Sequence, residues 1–266
     1  MQTVLKNPPL VSCLCVTRRK VAKLKRAINC FLAQTYPNKE LIILYEDDDQ
    51  ETKSFAAHFS NDDICIYFVE VEAHPKLSLG ELRNISVQKC NGEFFCQWDD
   101  DDWYNVNRIT VQLEAAVLNV HAASILTNWL MLDQSCGKAY FSGIRLWEGS
   151  IMCRKDVVND ELKYPALPKS EDRLFIDGLL TTNRVFPVVA PNLYVYVYHG
   201  ENTWNYEHFK MLFNNCKQLS EPVSMLIQNI LDEKYSVAEG SALLDSDAVL
   251  AEIEYFYSYK INKSIF

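Results

Sequence analysis

Four consecutive aspartates, Asp99 to Asp102, stand between Trp98 and Trp103, directly after the apolar Phe94, Phe95 and Cys96. A second acidic run, Glu46 to Asp49, follows the apolar Leu41–Tyr45. Carboxylates crowded in this way repel one another and raise each other's pKa. A divalent cation removes that penalty. Mg²⁺ and Mn²⁺ favour oxygen ligands, and Mg²⁺ is typically held by one or two carboxylates together with substrate phosphates. The chemistry that suits such runs is capture of a diphosphate through a metal. A solvated loop is the bland reading of either run alone, and Asp102 or Asn105 could simply cap the next helix. Two runs, each directly behind a buried strand, weigh against it. An EF-hand is excluded, because the run continues without glycine at the sixth loop position.

The first glycine in the chain is Gly80. Dinucleotide and P-loop sites need glycines at the first strand-to-helix turn, where backbone must approach phosphate. Here that turn reads Val16-Thr17-Arg18-Arg19-Lys20. This excludes those sites on the first strand, together with the Gly-rich loop of sugar-nucleotide pyrophosphorylases.

The elements that must position the acids emerge from periodicity. Leu10–Thr17, Glu40–Glu46, Ile64–Val71 and Glu93–Trp98 read as buried strands. Between them, Val21, Leu24, Ile28, Phe31 and Leu32 share one helical face, and a helix covers Leu79–Lys89. Another helix places Val106, Ile109, Leu113 and Val117 on one face. Alternating strands and helices imply an open, mostly parallel sheet flanked by helices. Ligands bind beyond the carboxyl ends of such strands, so both acidic runs open onto one edge. Short β runs over 122–153 suggest antiparallel additions. A helix over Ser170–Leu180, a late strand in Asn192–Gly200 and helices from Asn205 onward complete the reading. Tyr194, Tyr196 and Tyr198 of the late strand alternate with Leu193, Val195 and Val197.

The 266 residues carry a formal net charge of -9, which argues against nucleic acid or anionic lipid as partner. Of the nine cysteines, Cys13, Cys15, Cys65 and Cys96 sit in apolar strand-like runs and read as core residues of a reducing cytosol, and no paired metal spacing accompanies Cys13 and Cys15. The N-terminus shows no secretory pattern and no apolar run approaches a membrane span, so a cytoplasmic protein is expected, with peripheral membrane contact left open.

On these motifs the chain resembles the family 2 nucleotide-sugar glycosyltransferases of the GT-A fold. The likeness rests on the strand ending in Thr17, on Gln34-Thr35-Tyr36-Pro37-Asn38, and on the acids after Tyr45. It continues in Arg83-Asn84, in Gly92-Glu93 before the strand that ends in Asp99–Trp103, and in Glu171-Asp172. It spans Leu10 to Asn202. Two departures stand out: Val16-Thr17-Arg18-Arg19 replaces the family's Pro-Thr-Tyr-Asn, and Asp48-Asp49 replaces Gly-Ser after the acid pair.

The resemblance implies a GT-A domain over 1–204 and a C-terminal helical extension over 205–266 packed on it. It implies that Thr17 and either Glu46 or Asp47 line the nucleoside pocket, with Arg83, Asn84, Asp99 and Asp100 on the nucleotide. Asp99 and Asp101, with His199, would hold Mn²⁺ or Mg²⁺, and Asp102 would face the donor sugar. Asp172 would be the base, with Glu171 orienting the site. Without the resemblance, that last pair would simply complement a helix dipole, and His199 would be a hydrogen-bonded structural residue. Trp147 and Trp204 could stack on sugars, although a packing role is as good an account of each.

The expected function is inverting transfer of a sugar from a nucleotide-diphosphate sugar, a UDP-sugar, to a saccharide or lipid-linked saccharide acceptor, in polysaccharide or glycoconjugate biosynthesis. Alternatives are another metal-dependent nucleotide-processing enzyme, such as a nucleotidyltransferase or diphosphate hydrolase, and a non-catalytic sugar-nucleotide-binding protein.

Overall fold

The structure, a computed structural model, describes residues 7–59 and 65–253. Val11–Val16 (β1) lies inside a seven-stranded sheet. Lys39–Glu46 (β2) and Phe94–Gln97 (β4) flank it, both parallel, and Ile66–Val71 (β3) forms the outer edge beside β2. Beyond β4, Met152–Arg154 (β9) runs antiparallel to β4 and to Ala123–Leu126 (β6), and Val185–Val188 (β10) pairs in parallel with β6. The parallel register sets the carboxyl ends of β1, β2 and β4 along one edge, as the apolar runs required.

A second sheet of five strands lies alongside, in the order Lys217–Gln218 (β12), Lys138–Phe141 (β8), Leu130–Asp133 (β7), Tyr194–Tyr198 (β11) and Trp103–Tyr104 (β5). The four aspartates are the crossing between the sheets: β4 leaves the first and β5 enters the second. Both flanking tryptophans are buried, and Trp98 Nε1 donates to Ala27 O at 3.0 Å. The acids are thereby anchored to Val21–Leu32 (α1).

Leu79–Lys89 (α3) packs on the opposite face of the first sheet together with Glu171–Thr181 (α5), through Val87, Phe175, Ile176 and Leu179. A reciprocal cap starts α3: Glu81 Oε2 accepts from the Ser78 N–H at 2.8 Å and Ser78 Oγ from the Glu81 N–H at 3.4 Å. Gly80 is required there, since a Cβ would lie 1.8 Å from Pro165 O. That close approach seats α3 against the loop leading into α5.

Gln50–His58 (α2) comes after β2, and Arg108–Leu118 (α4) after β5. Tyr206–Asn214 (α6), Glu221–Leu231 (α7) and Val237–Leu244 (α8) come after β11. Their region is not purely helical, because β12 extends the second sheet and Ser224 Oγ of α7 accepts from Ala139 N at 3.0 Å.

Two further local expectations change. Leu32 is 46% exposed, and Ala27 and Cys30 complete the buried face of α1 instead. The strand read over Ile64–Val71 is a half-buried edge strand, having a neighbour on one side only. Its Ile64, like residues 254–266 of the C-terminal extension, lies outside the described residues. No helix among the described residues is long and apolar enough to cross a membrane.

Candidate active site

The edge formed by β1, β2 and β4 gathers most of the singled-out residues. Thr17 Oγ1 donates to Asp100 Oδ2 at 2.6 Å, joining the ends of β1 and the aspartate turn. Burial, and then Asp101, push the Asp100 carboxyl up to about 7, against Lys20 and the Thr17 hydroxyl. Asp101 Oδ2 accepts from Lys20 Nζ at 2.7 Å and lies 2.9 Å from His199 Nε2. Burial alone would raise Asp101, but His199 and Lys20 more than reverse it and hold it well below the usual carboxylate range. Arg26 Nη2 donates to Asp101 O at 2.6 Å and fixes the turn.

Asp102 goes elsewhere. It is fully buried, accepts from the Val197 N–H at 3.0 Å and from the Tyr194 hydroxyl, and so ties the aspartate turn to β11. Consecutive residues in a turn point in different directions, and this one points into the second sheet, where β11 already engages both of the oxygens that the expected donor-sugar role would use. Burial and the neighbouring aspartates push its pKa up.

The acids after β2 also divide. Glu46 is buried; its Oε2 accepts from Arg18 and Lys76, and its Oε1 has no partner among the described residues. Asp47 Oδ1 accepts from the Ala73 N–H at 3.0 Å, a backbone tie. Asp48 pairs with Arg18 at the surface at 2.6 Å. Asp49 caps α2, accepting from Thr52 N at 3.1 Å.

Arg83 joins the two halves of the site. Its Nε donates to Glu171 Oε1 at 2.8 Å and its Nη2 to Asp99 Oδ1 at 3.2 Å. With its amide oriented to satisfy both partners, Gln97 accepts from the same guanidinium at 2.6 and 2.8 Å. Asn84, by contrast, exchanges hydrogen bonds with the Tyr164 backbone at 2.7 and 3.0 Å. It braces the loop before α5 and is not turned to the acidic edge. Glu171 is buried under Arg83. Asp172, the next residue, is half-buried and accepts from Arg173 N at 2.8 Å. Burial, and then Glu171, raise it to about 6, with Arg83 opposing.

The aromatic candidates are packed. Trp147 is sandwiched between Trp129 at 4.5 Å and Tyr196 at 4.6 Å. Trp204 has His208 at 4.2 Å and Lys169 at 4.9 Å from its ring.

The donor chemistry fits a hard cation shared with phosphate: Asp99 and Asp101 are carboxylates, and Asp101 Oδ1 takes no partner among the described residues. His199 is oriented otherwise. Its Nδ1 accepts from the Glu201 N–H at 3.2 Å, which leaves the ring proton on Nε2, directed at Asp101. Among the described residues, no group of three or more His, Cys, Asp or Glu is arranged to hold a metal ion.

Sequence reasoning missed Arg18, Lys20 and Lys76, the cations that counter these acids. The only signal was the basic triplet Arg18-Arg19-Lys20 at the end of β1, facing two acidic runs.

Comparison with known proteins agrees with this arrangement. Residues 12–129 match the family described as Glycosyl transferase family 2. The putative colanic acid biosynthesis glycosyl transferase WcaA of Escherichia coli is 23% identical, covering 98% of this chain and 84% of its own. An uncharacterized glycosyltransferase of Rickettsia typhi is 27% identical over 50% of this chain, which spans 40% of that protein's length. Among solved structures, S. aureus TarS 1-349 in complex with UDP-GlcNAc superposes with a TM-score of 0.58 at 16% identity, over 90% of this chain and 76% of that one. The same protein in complex with UDP gives 0.55 at 18% identity, over 88% and 74%. Residues 12–129 thus match the family 2 glycosyl transferases, and the parallel sheet with its acidic edge has the GT-A fold of the TarS structures.

Proposed function

We propose that the protein transfers a sugar from a UDP-linked donor to an acceptor hydroxyl, with inversion at the anomeric carbon. The observation that carries this is the Arg83 bridge, which couples the diphosphate-binding edge at Asp99 to the base-bearing start of α5 at Glu171. The names of WcaA and the TarS complexes support a nucleotide-sugar donor and a role in polysaccharide or glycoconjugate synthesis.

The nucleoside pocket supports uracil. Glu46 keeps one buried acceptor oxygen without a partner among the described residues, with the donors Arg18 and Lys76 beside it. The imide edge of uracil presents the complement, one N–H donor between two carbonyl acceptors. Cytosine has no donor at the central position, and guanine has two donors side by side. Glu46 rather than Asp47 is therefore the base contact, because Asp47 is held by the Ala73 backbone.

Asp99 and Asp101 would hold Mn²⁺ or Mg²⁺ with the donor diphosphate. Once bound, such an ion neutralises charge on the leaving diphosphate as a Lewis acid. Arg83 fixes Asp99, and Thr17 fixes Asp100 behind it. The acceptor hydroxyl attacks the anomeric carbon opposite the departing UDP and gives its proton to Asp172. A carboxylate poised near working pH suits that task, and Asp172 is raised to about 6. Glu171 is committed to Arg83 and serves to orient the site.

The test is turnover of UDP-sugars in the presence of saccharide acceptors, with product configuration read by NMR. Release of UDP without glycosylated product would instead favour a hydrolase.

A further inference from the structure

Asp101 has two cationic or proton-donating neighbours on one oxygen, and they differ in kind. His199 is 4% exposed, held through Nδ1 by the Glu201 N–H, and that loop is tied to α1 by a 2.7 Å ion pair between Lys23 and Glu201. Lys20 has no such fixing. It is the residue at which α1 begins, makes no capping bond with its side chain, and reaches the acids on a flexible four-carbon stem. Its ammonium lies 2.7 Å from Asp101 Oδ2 and 3.8 Å from Asp100 Oδ1. The other cation in the cluster, Arg83, is locked by Asp99, Glu171 and Gln97 together. Lys20 is therefore the counter-ion with freedom to leave.

An ammonium on Asp101 and a divalent ion on the same carboxylate repel each other at close range. The acids nonetheless need a positive charge when no metal is present, because Asp100 and Asp101 are largely buried side by side. We propose that Lys20 is a resident stand-in for the divalent cation: it neutralises Asp101 in the free protein, yields that carboxylate to the metal, and then pairs with the donor's diphosphate. This rests on the reading of the acidic edge as a metal–diphosphate site. It makes Lys20 a positioning residue that opposes metal binding in the absence of nucleotide and favours nucleotide binding in the presence of metal. Metal alone binds weakly as a result, and metal with UDP binds well.

The experiment is titration calorimetry of the full chain with Mn²⁺ alone, with UDP alone, and with UDP in saturating Mn²⁺, on wild type, Lys20→Met, Lys20→Gln and Lys20→Arg. Thermal melts establish that each variant is folded, and Lys20→Gln, which keeps a hydrogen-bond donor, stands in if Lys20→Met is not. In the neutral variants, Mn²⁺ alone should bind about tenfold more tightly, and UDP with Mn²⁺ about tenfold more weakly, a coupling of ordinary size. Lys20→Arg should keep the wild-type order. A purely structural lysine would weaken both affinities, so weaker or unchanged Mn²⁺ binding in the neutral variants overturns the proposal while leaving the acidic edge as a metal site. If Mn²⁺ gives UDP no advantage in wild type, and Asp101→Asn changes nothing, the metal–diphosphate reading fails and the proposal fails with it.

Discussion

Arg83 Nε donates to Glu171 Oε1 at 2.8 Å across the interface between α3 and α5, and the same guanidinium reaches Asp99 at the end of β4. One buried cation thus sets the distance between the acidic edge and the pair at the start of α5. A lysine would supply the charge without the planar fork that meets several partners at once. Arg83→Met should cost about 3–5 kcal/mol of stability, because it leaves a buried carboxylate unpaired. Arg83→Lys should fold better than Arg83→Met yet still lose transfer. Urea denaturation alongside a transfer assay checks both, and a fully active Arg83→Lys would contradict the positioning role.

Asp172 and Glu171 are adjacent, but only Glu171 is engaged by Arg83. Asp172→Asn should keep UDP–Mn²⁺ affinity and lose about 10²–10⁴ in transfer rate, the usual worth of a positioned base. Glu171→Gln should instead reduce stability and disturb donor binding through Arg83. Calorimetry and turnover on the two variants separate these roles. Near-normal transfer in Asp172→Asn with the loss on Glu171→Gln would reverse them.

The pH dependence has a definite sign. Asp172, raised to about 6, must be ionised to accept a proton, so transfer should rise with pH and reach half its plateau near 6. Asp100 is raised to about 7. Between about pH 4 and 7 the native state therefore holds protons that the unfolded chain has released, and stability should fall as pH rises. Asp101, shifted downward, acts in the opposite sense only at more acid pH. Melting temperatures measured without metal between pH 5 and 7.5 should decline, with Asp172 and Asp102 contributing in the same sense, and Asp100→Asn should make the decline shallower. An equally steep decline in that variant would remove Asp100 as its source.

Glu46→Ala removes the acceptor proposed for the nucleotide base and leaves Arg18 and Lys76 without their shared partner. Hydrogen bonds to charged groups are worth about 1.5–3 kcal/mol, so UDP affinity should fall by about 10–100-fold. Asp47→Ala should affect UDP far less, its visible task being to hold Ala73. Competition binding with UDP and GDP measures both variants.

Strands β1, β2 and β4 were legible because strands buried on both faces write continuous apolar runs. The two-residue strand β5 was not, since it exists by pairing with Tyr194 and Val195 far along the chain. For the same reason β12 was hidden in a helical stretch. The acidic edge was legible as a place, because both runs sit directly behind strands of one sheet. The direction of each acid within a run was not: Asp101 meets Lys20 while the adjoining Asp102 meets Tyr194. Single cations such as Lys20 and Lys76 carry no periodic signal, and only folding supplies their partners.

Asp102 points away from the acidic edge, and its partners make it a brace between the two sheets. Its two oxygens accept from Tyr194 and from the Val197 N–H, both in β11, and it is fully buried. Burial raises its pKa, which favours a neutral side chain at that position. An asparagine is close to the protonated carboxyl in shape: its oxygen can accept from Val197 N–H while its amide donates to the Tyr194 hydroxyl oxygen. Asp102→Asn should therefore fold, losing at most the one bond that the Tyr194 hydroxyl now donates, and retain transfer. Asp102→Ala leaves two buried donors unpaired, at about 1–3 kcal/mol each, and should be distinctly less stable. Its effect on transfer should track the fraction folded. A residue that held the donor sugar would show the reverse pattern, with Asp102→Asn stable but inactive. Melting curves and turnover of the two variants, measured on the same preparations, decide between a brace and a sugar contact.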